Sequence, residues 1–235
     1  MPQEAAIAKA AFAPDVLILS GTDKLNLPAL VPATCTRIVS FGLAGGLSYG
    51  LRISDVVVAA SLTDGVNSSK IDGNWSSRVL AALRSATVPR VGDIGSQYDT
   101  RPAAWASRVQ RVPWYSSGVT DQADTRLQRT ALFTATGAWA IDDESYWGAK
   151  LAAARGIPFN IVRSISDDAS DTLPLAARGA IMNADGSANI DYLLQEIGKE
   201  PLYQTLDLAL IAADFDASLS TLQAAAVVLS GMLQA

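Results

Sequence analysis

Gly156-Ile157-Pro158-Phe159-Asn160-Ile161-Val162-Arg163-Ser164-Ile165-Ser166-Asp167-Asp168 is the stretch that decides the fold. A glycine and a proline lead into seven residues rich in β-branched and aromatic side chains, and a polar turn follows. The apolar residues are nearly consecutive rather than alternating, as in a strand buried on both faces. Working upstream, Asp142 can cap a helix reaching about Arg155, with Gly156 as its stop and Pro158 just beyond. Before that helix comes another apolar run, Ala138-Trp139-Ala140-Ile141. Three more lie earlier: Val16-Leu17-Ile18-Leu19, Arg37-Ile38-Val39-Ser40-Phe41 and Asp55-Val56-Val57-Val58-Ala59-Ala60. Strands alternating with helices predict an α/β fold, a three-layer α/β/α sandwich with a mixed, mostly parallel central sheet.

Downstream, Ala188 to Ile197 reads as a helix stopped by Gly198 and Pro201. Leu202 to Leu233 repeats apolar residues at helical spacing. The phase slips around Asp214–Ser218, so two helices or one kinked helix are expected. Residues 64–76 and 92–121, rich in Gly, Ser, Asp and Trp, read as long surface loops, with or without short strands. Trp105, Trp114 and Tyr115 there are candidates for a large apolar pocket or an oligomer contact, or are ordinary loop anchors. No repeat, low-complexity tract or linker interrupts the chain, so residues 1–235 are expected to form one domain.

Composition narrows the chemistry. Among 235 residues there is no His and a single Cys, Cys35. This excludes a Ser-His-Asp triad, a Cys-His dyad, His-ligated metals, disulfides within the chain and C-x-x-C redox chemistry. No metal and no cofactor are expected. The net charge of −5 argues against nucleic-acid binding, because an acidic surface repels phosphates. The N-terminus lacks a secretory pattern and the C-terminal apolar stretch is broken by Ser220, Thr221, Gln223 and Ser230. A cytoplasmic protein with no integral membrane segment is the expectation.

Three polar clusters follow the apolar runs. Gly42-Leu43-Ala44-Gly45-Gly46 lets a ligand approach bare backbone whose N–H groups can hold an oxygen; it also fits a tight strand exit. Asp142-Asp143-Glu144-Ser145 gathers three carboxylates at a helix start, more than one cap requires. Arg163-Ser164-Ile165-Ser166-Asp167-Asp168 lies at a carboxyl strand end, where open α/β sheets bind ligands, although a polar turn looks the same. Clusters at separate strand ends can converge on one pocket.

In this order, these segments resemble the purine nucleoside phosphorylase/nucleosidase family that includes methylthioadenosine/S-adenosylhomocysteine nucleosidase. The likeness rests on Ser40–Leu47, Asp55–Ala59, Ala140–Ser145 and Gly156–Asp167, and spans about Glu4 to Pro174. Within the family the chain is most similar to the hopanoid-associated branch, through Phe41–Leu47, the Asp142–Ser145 box, Asp168–Pro174, Asn183–Ser187 and the C-terminal helices. Those enzymes are implicated in removing adenine from adenosylhopane. The resemblance implies cleavage of the N-glycosidic bond of a 5′-substituted adenosine with an apolar 5′ group, by water or phosphate, in a homodimer. It implies that Asp167 serves the purine N7. Glu144 would hold the ribose hydroxyls beside an oxocarbenium-like centre. Gly42, Leu43, Ala44, Gly45, Asp143 and Ser166 would line the site, and Glu4 would activate the nucleophile. A plain methylthioadenosine or adenosylhomocysteine nucleosidase, and a degenerate member that binds a nucleoside or lipid without turnover, are the alternatives.

Three departures from the family pattern carry expectations. Leu43 replaces Ser or a similar residue, and Ser40 replaces the phosphate-binding Arg of phosphorylases, which favours hydrolysis. Asp143 replaces Met. Glu4 sits in a stretch, Met1–Ile7, that resembles the turn after the family's first strand and the helix that follows, with that strand missing; either the sequence starts inside a longer chain or the sheet manages without the strand. Glu4 is therefore expected to be poorly anchored, since termini fray unless tied down.

Overall fold

The structure is a computed structural model and describes residues 2–13, 16–19, 21–69, 71–86, 106–117, 123–173 and 189–233. The described strands are β1 (Ile38–Gly46), β2 (Val56–Thr63), β3 (Ser68–Ser69), β4 (Val109–Tyr115), β5 (Ala140–Ile141) and β6 (Phe159–Asp167). The described helices are α1 (Pro2–Ala11), α2 (Leu27–Leu30), α3 (Gly73–Ser85), α4 (Arg126–Thr136), α5 (Ser145–Arg155), α6 (Ile190–Lys199) and α7 (Pro201–Leu233).

The strands form one mixed sheet in the order β3-β2-β4-β5-β1-β6. Its two longest ladders, β1 with β6 and β2 with β4, are parallel. An antiparallel pairing of Val56–Val58 with Ser164–Val162 also joins β2 to β6, so the sheet curls round and closes on itself. Successive side chains point to opposite faces of a strand. Val57, Ala59, Ile161 and Ile165 therefore pack with Ala149 and Ala152 of α5. Val56, Val58 and Val162 go the other way, against Val79 and Leu83 of α3 and Ala225 and Leu229 of α7. Helices on both faces leave no solvent side to the central strands, which is why their apolar residues run consecutively.

Four expectations are decided here. Val16–Leu19 is irregular, not a strand, and Leu17 is more than half exposed. An apolar run with no neighbour to pair with does not make a strand. Within residues 92–121, expected as a surface loop with or without short strands, Val109–Tyr115 is a strand, and it lies buried between β2 and β5 rather than on the surface. Its proline, Pro113, pairs with Ser61 where the ladder skips Ala60, a bulge that dispenses with one ladder bond. Trp114 is fully buried in the core and Tyr115 nearly so, so neither lines an open pocket or an oligomer surface; Trp105 lies outside the described residues. Of the two forms expected for the C-terminal pattern, the structure has the single helix, α7. At the phase slip Ser218 is buried, its Oγ 2.6 Å from the carbonyl oxygen of Ile165 and 2.8 Å from that of Asp214. A polar contact on the end of β6 takes the place of an apolar one, and the helix runs on without a break.

Helix α5 starts at Ser145 rather than Asp142. Asp142 still caps it from three residues upstream, accepting from the Ser145 N–H at 3.2 Å, and Gly156 closes it as expected.

Candidate active site

Strand β6 puts Arg163 level with Gly42 of β1. The arginine is 5% exposed, and a buried guanidinium must find partners. One terminal nitrogen donates to the Leu43 carbonyl at 2.7 Å. The other donates to Ser40 Oγ at 2.7 Å and to Glu144 Oε2 at 3.2 Å. Its Nε lies 2.6 Å from Asp142 Oδ2, as a charge contact rather than an aligned hydrogen bond. Ser145 Oγ sits 2.8 Å from Ser40 Oγ and donates to Asp142.

These charges shift one another. Burial pushes the Asp142 carboxyl up, against the pull of Arg163 and with a further push from Glu144. Burial would raise Glu144 too, but Arg163, with Lys24, outweighs it and holds that carboxyl below the usual range. Burial alone would make Arg163 less basic; Asp142, Glu144 and Glu4 reverse this and keep it charged.

Glu4 completes the cluster. Far from being loose, it accepts a hydrogen bond from the Leu43 N–H at 2.6 Å. Helix α1 packs on α7 and β1, and this docking anchors the acid at the chain's start. A Cβ on Gly42 would come within 2.5 Å of Glu4 Oε1, so the carboxylate rests directly on bare backbone.

Asp167 stands three β1 residues further along. The ladder slips between Ala44 and Gly45, so Gly45 is level with Asp167 and Ser166 has no opposite number. A Cβ on Gly45 would lie 3.0 Å from Asp167 Oδ2. Ser166 donates to Asp167 Oδ1 at 2.7 Å. Arg129 of α4, 1% exposed, forms an ion pair with Asp167 and also donates to the carbonyls of Gly46 at 3.1 Å and Asp168 at 3.2 Å.

The structure thus brings Glu4, Gly42, Leu43 and Glu144 together around Arg163, and Gly45, Ser166 and Asp167 together beside Arg129. The edge of β1 between Gly42 and Gly45 spans about 10 Å at the usual rise per residue, the length scale of a nucleoside. Ala44 is buried in that edge, and Asp143 is half-buried in the turn before Glu144. Sequence reading missed the roles of Arg163, Asp142 and Arg129. An arginine inside a buried strand was itself a signal, because it demands carboxylates nearby. For Arg129 the signal was the capping box at Thr125 and Gln128, which starts α4. Among the described residues no cluster of His, Cys, Asp and Glu is arranged to hold a metal.

A model of the phosphorylase superfamily matches residues 5–192. The chain belongs to the phosphorylase superfamily. The match takes in Gly42–Gly45, Glu144 and Asp167 and begins one residue after Glu4. Solved structures with a similar fold include a mutant 5′-methylthioadenosine/S-adenosylhomocysteine nucleosidase from Helicobacter pylori with 5′-methylthioadenosine in its active site. It is 13% identical with a TM-score of 0.61, over 100% of this chain and 95% of its own. The nucleosidase of the same name from Neisseria meningitidis, in complex with methylthio-immucillin-A, is 14% identical with a TM-score of 0.60 over the same shares. Futalosine hydrolase from Helicobacter pylori is 15% identical with a TM-score of 0.56, over 90% of this chain and 74% of its own. No curated protein matches the chain by sequence. Among the described residues no helix is long and apolar enough to cross a membrane.

Proposed function

We propose that this superfamily member hydrolyses the N-glycosidic bond of a 5′-substituted adenosine and releases adenine. The observation that carries this reading is the placement of two acid centres on one strand edge, Glu4 with Glu144 at Gly42 and Asp167 at Gly45. Water attacks the anomeric carbon as the bond to the purine nitrogen breaks. Glu4 takes the water's proton, Glu144 holds the ribose hydroxyls and faces the developing positive charge, and Asp167, after taking up a proton from solvent and leaving its ion pair with Arg129, delivers that proton to the purine N7. Water is the nucleophile rather than phosphate. Three carboxylates, Asp142, Glu144 and Glu4, surround the one guanidinium of Arg163 and repel a dianion. Ser40, at the place of a phosphate-binding arginine, is already engaged by Arg163 and Ser145.

For the substrate, the motifs Phe41–Leu47 and Asp142–Ser145 favour adenosylhopane, with adenine loss as a step in hopanoid lipid formation. The buried Trp114 lends this nothing, and Asn183–Ser187 lies outside the described residues. The structural likeness to methylthioadenosine/S-adenosylhomocysteine nucleosidases favours a small 5′-thio substituent as the second reading. Adenine release from methylthioadenosine and from a polycyclic 5′-alkyl adenosine, in buffers with and without phosphate, tests all of it. Higher kcat/KM for the polycyclic compound and a free sugar product are expected. A sugar 1-phosphate at submillimolar phosphate removes the hydrolytic reading, and preference for methylthioadenosine removes the lipid one. No adenine from either compound overturns the proposal.

A further inference from the structure

Two arginines each gather several backbone carbonyls, and they do so differently. Arg155 spends both terminal nitrogens on carbonyls, Nη1 on Pro32 at 2.9 Å and Nη2 on Pro28 at 3.1 Å and Val31 at 2.8 Å. Arg129 divides them. Its Nη1 alone takes the carbonyls of Gly46 at 3.1 Å, Asp168 at 3.2 Å and Asp167 at 3.4 Å, and its Nη2 is left for the Asp167 carboxylate. The three carbonyls stand at the ends of β1 and β6, just past the slip in their ladder. Nη1 thus secures the backbone on either side of the acid, and this hold does not depend on the acid's charge. Helix α4 is in turn tied to the residues after Asp167. The Leu173 N–H donates to the Asp124 carbonyl at 2.7 Å, and the Arg126 N–H to Thr172 Oγ1 at 3.4 Å. The Arg129 side chain is 2% exposed and that of Asp167 21%, so solvent and substrate reach the carboxylate but not the cation behind it. A charge contact walled off from water is strong.

We infer that Arg129 is a positioning residue for the proton transfer: its Nη2 takes up the negative charge that Asp167 regains as the proton leaves for the purine N7. The inference rests on the hydrolytic reading above, in which Asp167 is the acid. As the O–H bond of Asp167 breaks and the N7–H bond forms, the electron pair stays on the carboxylate oxygen. A neutral carboxyl gains little from a guanidinium and an anion gains much, so the contact strengthens between the bound state and the transition state. Only interactions that strengthen in this way speed a chemical step. Nη1 keeps its carbonyls throughout, so the cation waits in place while Asp167 carries its proton. Ser166 donates to the other carboxylate oxygen at 2.7 Å and keeps the carboxyl from swinging. The ion pair of the structure is then the state to which the acid returns after each turnover. A purely structural clip would place Nη2 on a further carbonyl, as Arg155 does.

A double-mutant cycle on adenine release from methylthioadenosine and from a polycyclic 5′-alkyl adenosine tests this. Arg129→Met should lose about 10²-fold or more in kcat, with KM within about threefold of the wild-type value. Arg129→Lys keeps a cation and should regain about tenfold of that loss. In an Asp167→Asn background, where the amide never becomes an anion, Arg129→Met should cost nothing further. If Arg129→Met misfolds by far-ultraviolet circular dichroism, Arg129→Lys replaces it in the cycle, and its own loss should vanish beside Asp167→Asn. Four results overturn the inference: losses that multiply in the double variant, a loss confined to KM, a folded Arg129→Met with wild-type kcat, or Arg129→Lys no faster than a folded Arg129→Met. Each of these leaves the hydrolytic reading standing as long as Asp167→Asn is slow. Asp167→Asn as fast as the wild type, or no adenine from the wild type, overturns both.

Discussion

Gly42→Ala isolates the contact between the N-terminal acid and the strand edge. The added methyl lands 2.5 Å from Glu4 Oε1 and 3.2 Å from its Cδ, with Arg163 at 3.3 Å. The first of these is closer than a methyl carbon and an oxygen can come, so the carboxylate must leave. It can do so cheaply, because it is the end of a flexible side chain, and β1 itself need not move. The Leu43 N–H then loses its 2.6 Å acceptor. A hydrogen bond to a charged group contributes about 1.5–3 kcal/mol. For a domain of this length each kcal/mol is about 2–4 °C in Tm, so a fall of about 3–12 °C is expected. Glu4→Gln keeps the shape and loses only the charge, so its Tm should fall less. If Glu4 is the general base, both variants lose about 10²-fold or more in adenine release from methylthioadenosine or a 5′-alkyl adenosine. Differential scanning calorimetry reads the first effect and chromatography of adenine the second. A Gly42→Ala protein that melts lower yet releases adenine at the wild-type rate would falsify the role given to Glu4. One that melts and reacts like the wild type refutes the contact itself.

Asp167→Asn should cost about 10²-fold or more in adenine release with little change in far-ultraviolet circular dichroism, the scale of losing a general acid; unchanged turnover removes Asp167 from the mechanism. Arg163→Met leaves Asp142 and Glu144 without their cation and should destabilise by about 3–5 kcal/mol in urea unfolding. Adding Asp142→Asn should recover part of that, and a double variant no better than the single one argues against the pairing. Asp171 accepts from the Asp168 N–H at 2.7 Å, and burial, reinforced by Asp168 and Asp167, raises its carboxyl above 3.8. A raised folded-state value means the native state holds its proton longer, so stability is lost as pH rises from about 4 through that value. Asp171→Asn, which keeps an acceptor oxygen, should flatten this part of the Tm-against-pH curve; an unchanged slope counts against it.

The strands β1, β2 and β6 were legible because a strand covered on both faces shows an unbroken apolar run. The same reasoning misjudged Val16–Leu19, where the run is present but no partner strand is. It gave β4 no more than a short strand in a surface loop, because its buried Val109, Val112, Trp114 and Tyr115 are separated by Gln110, Arg111 and Pro113. A bulge that accepts the proline leaves no trace in local sequence. Glu144 and Asp167 could be picked out because carboxylates at strand ends are conspicuous in a chain with no histidine; Glu4 came only from the family resemblance. Their cations were harder to see. Arg163 stood inside the deciding stretch, but only the tertiary pairing shows that it serves Asp142 and Glu144. Arg129 comes from α4, whose apolar residues include the exposed Leu127 and Phe133 and so give no clean buried face.

Between Arg163 and Asp167 strand β6 advances four residues while β1 advances three, from Gly42 to Gly45, and Ser166 absorbs the difference. The two strands therefore keep count for each other. Deleting Ser166 would restore an even ladder and satisfy more of the backbone, yet it would draw Asp167 back by one residue and turn it to the opposite face of the sheet. A single-codon loss in this strand can thus make a better sheet and a worse catalyst. Conversely, related chains are expected to vary freely in the loops around this segment while holding its residue count fixed.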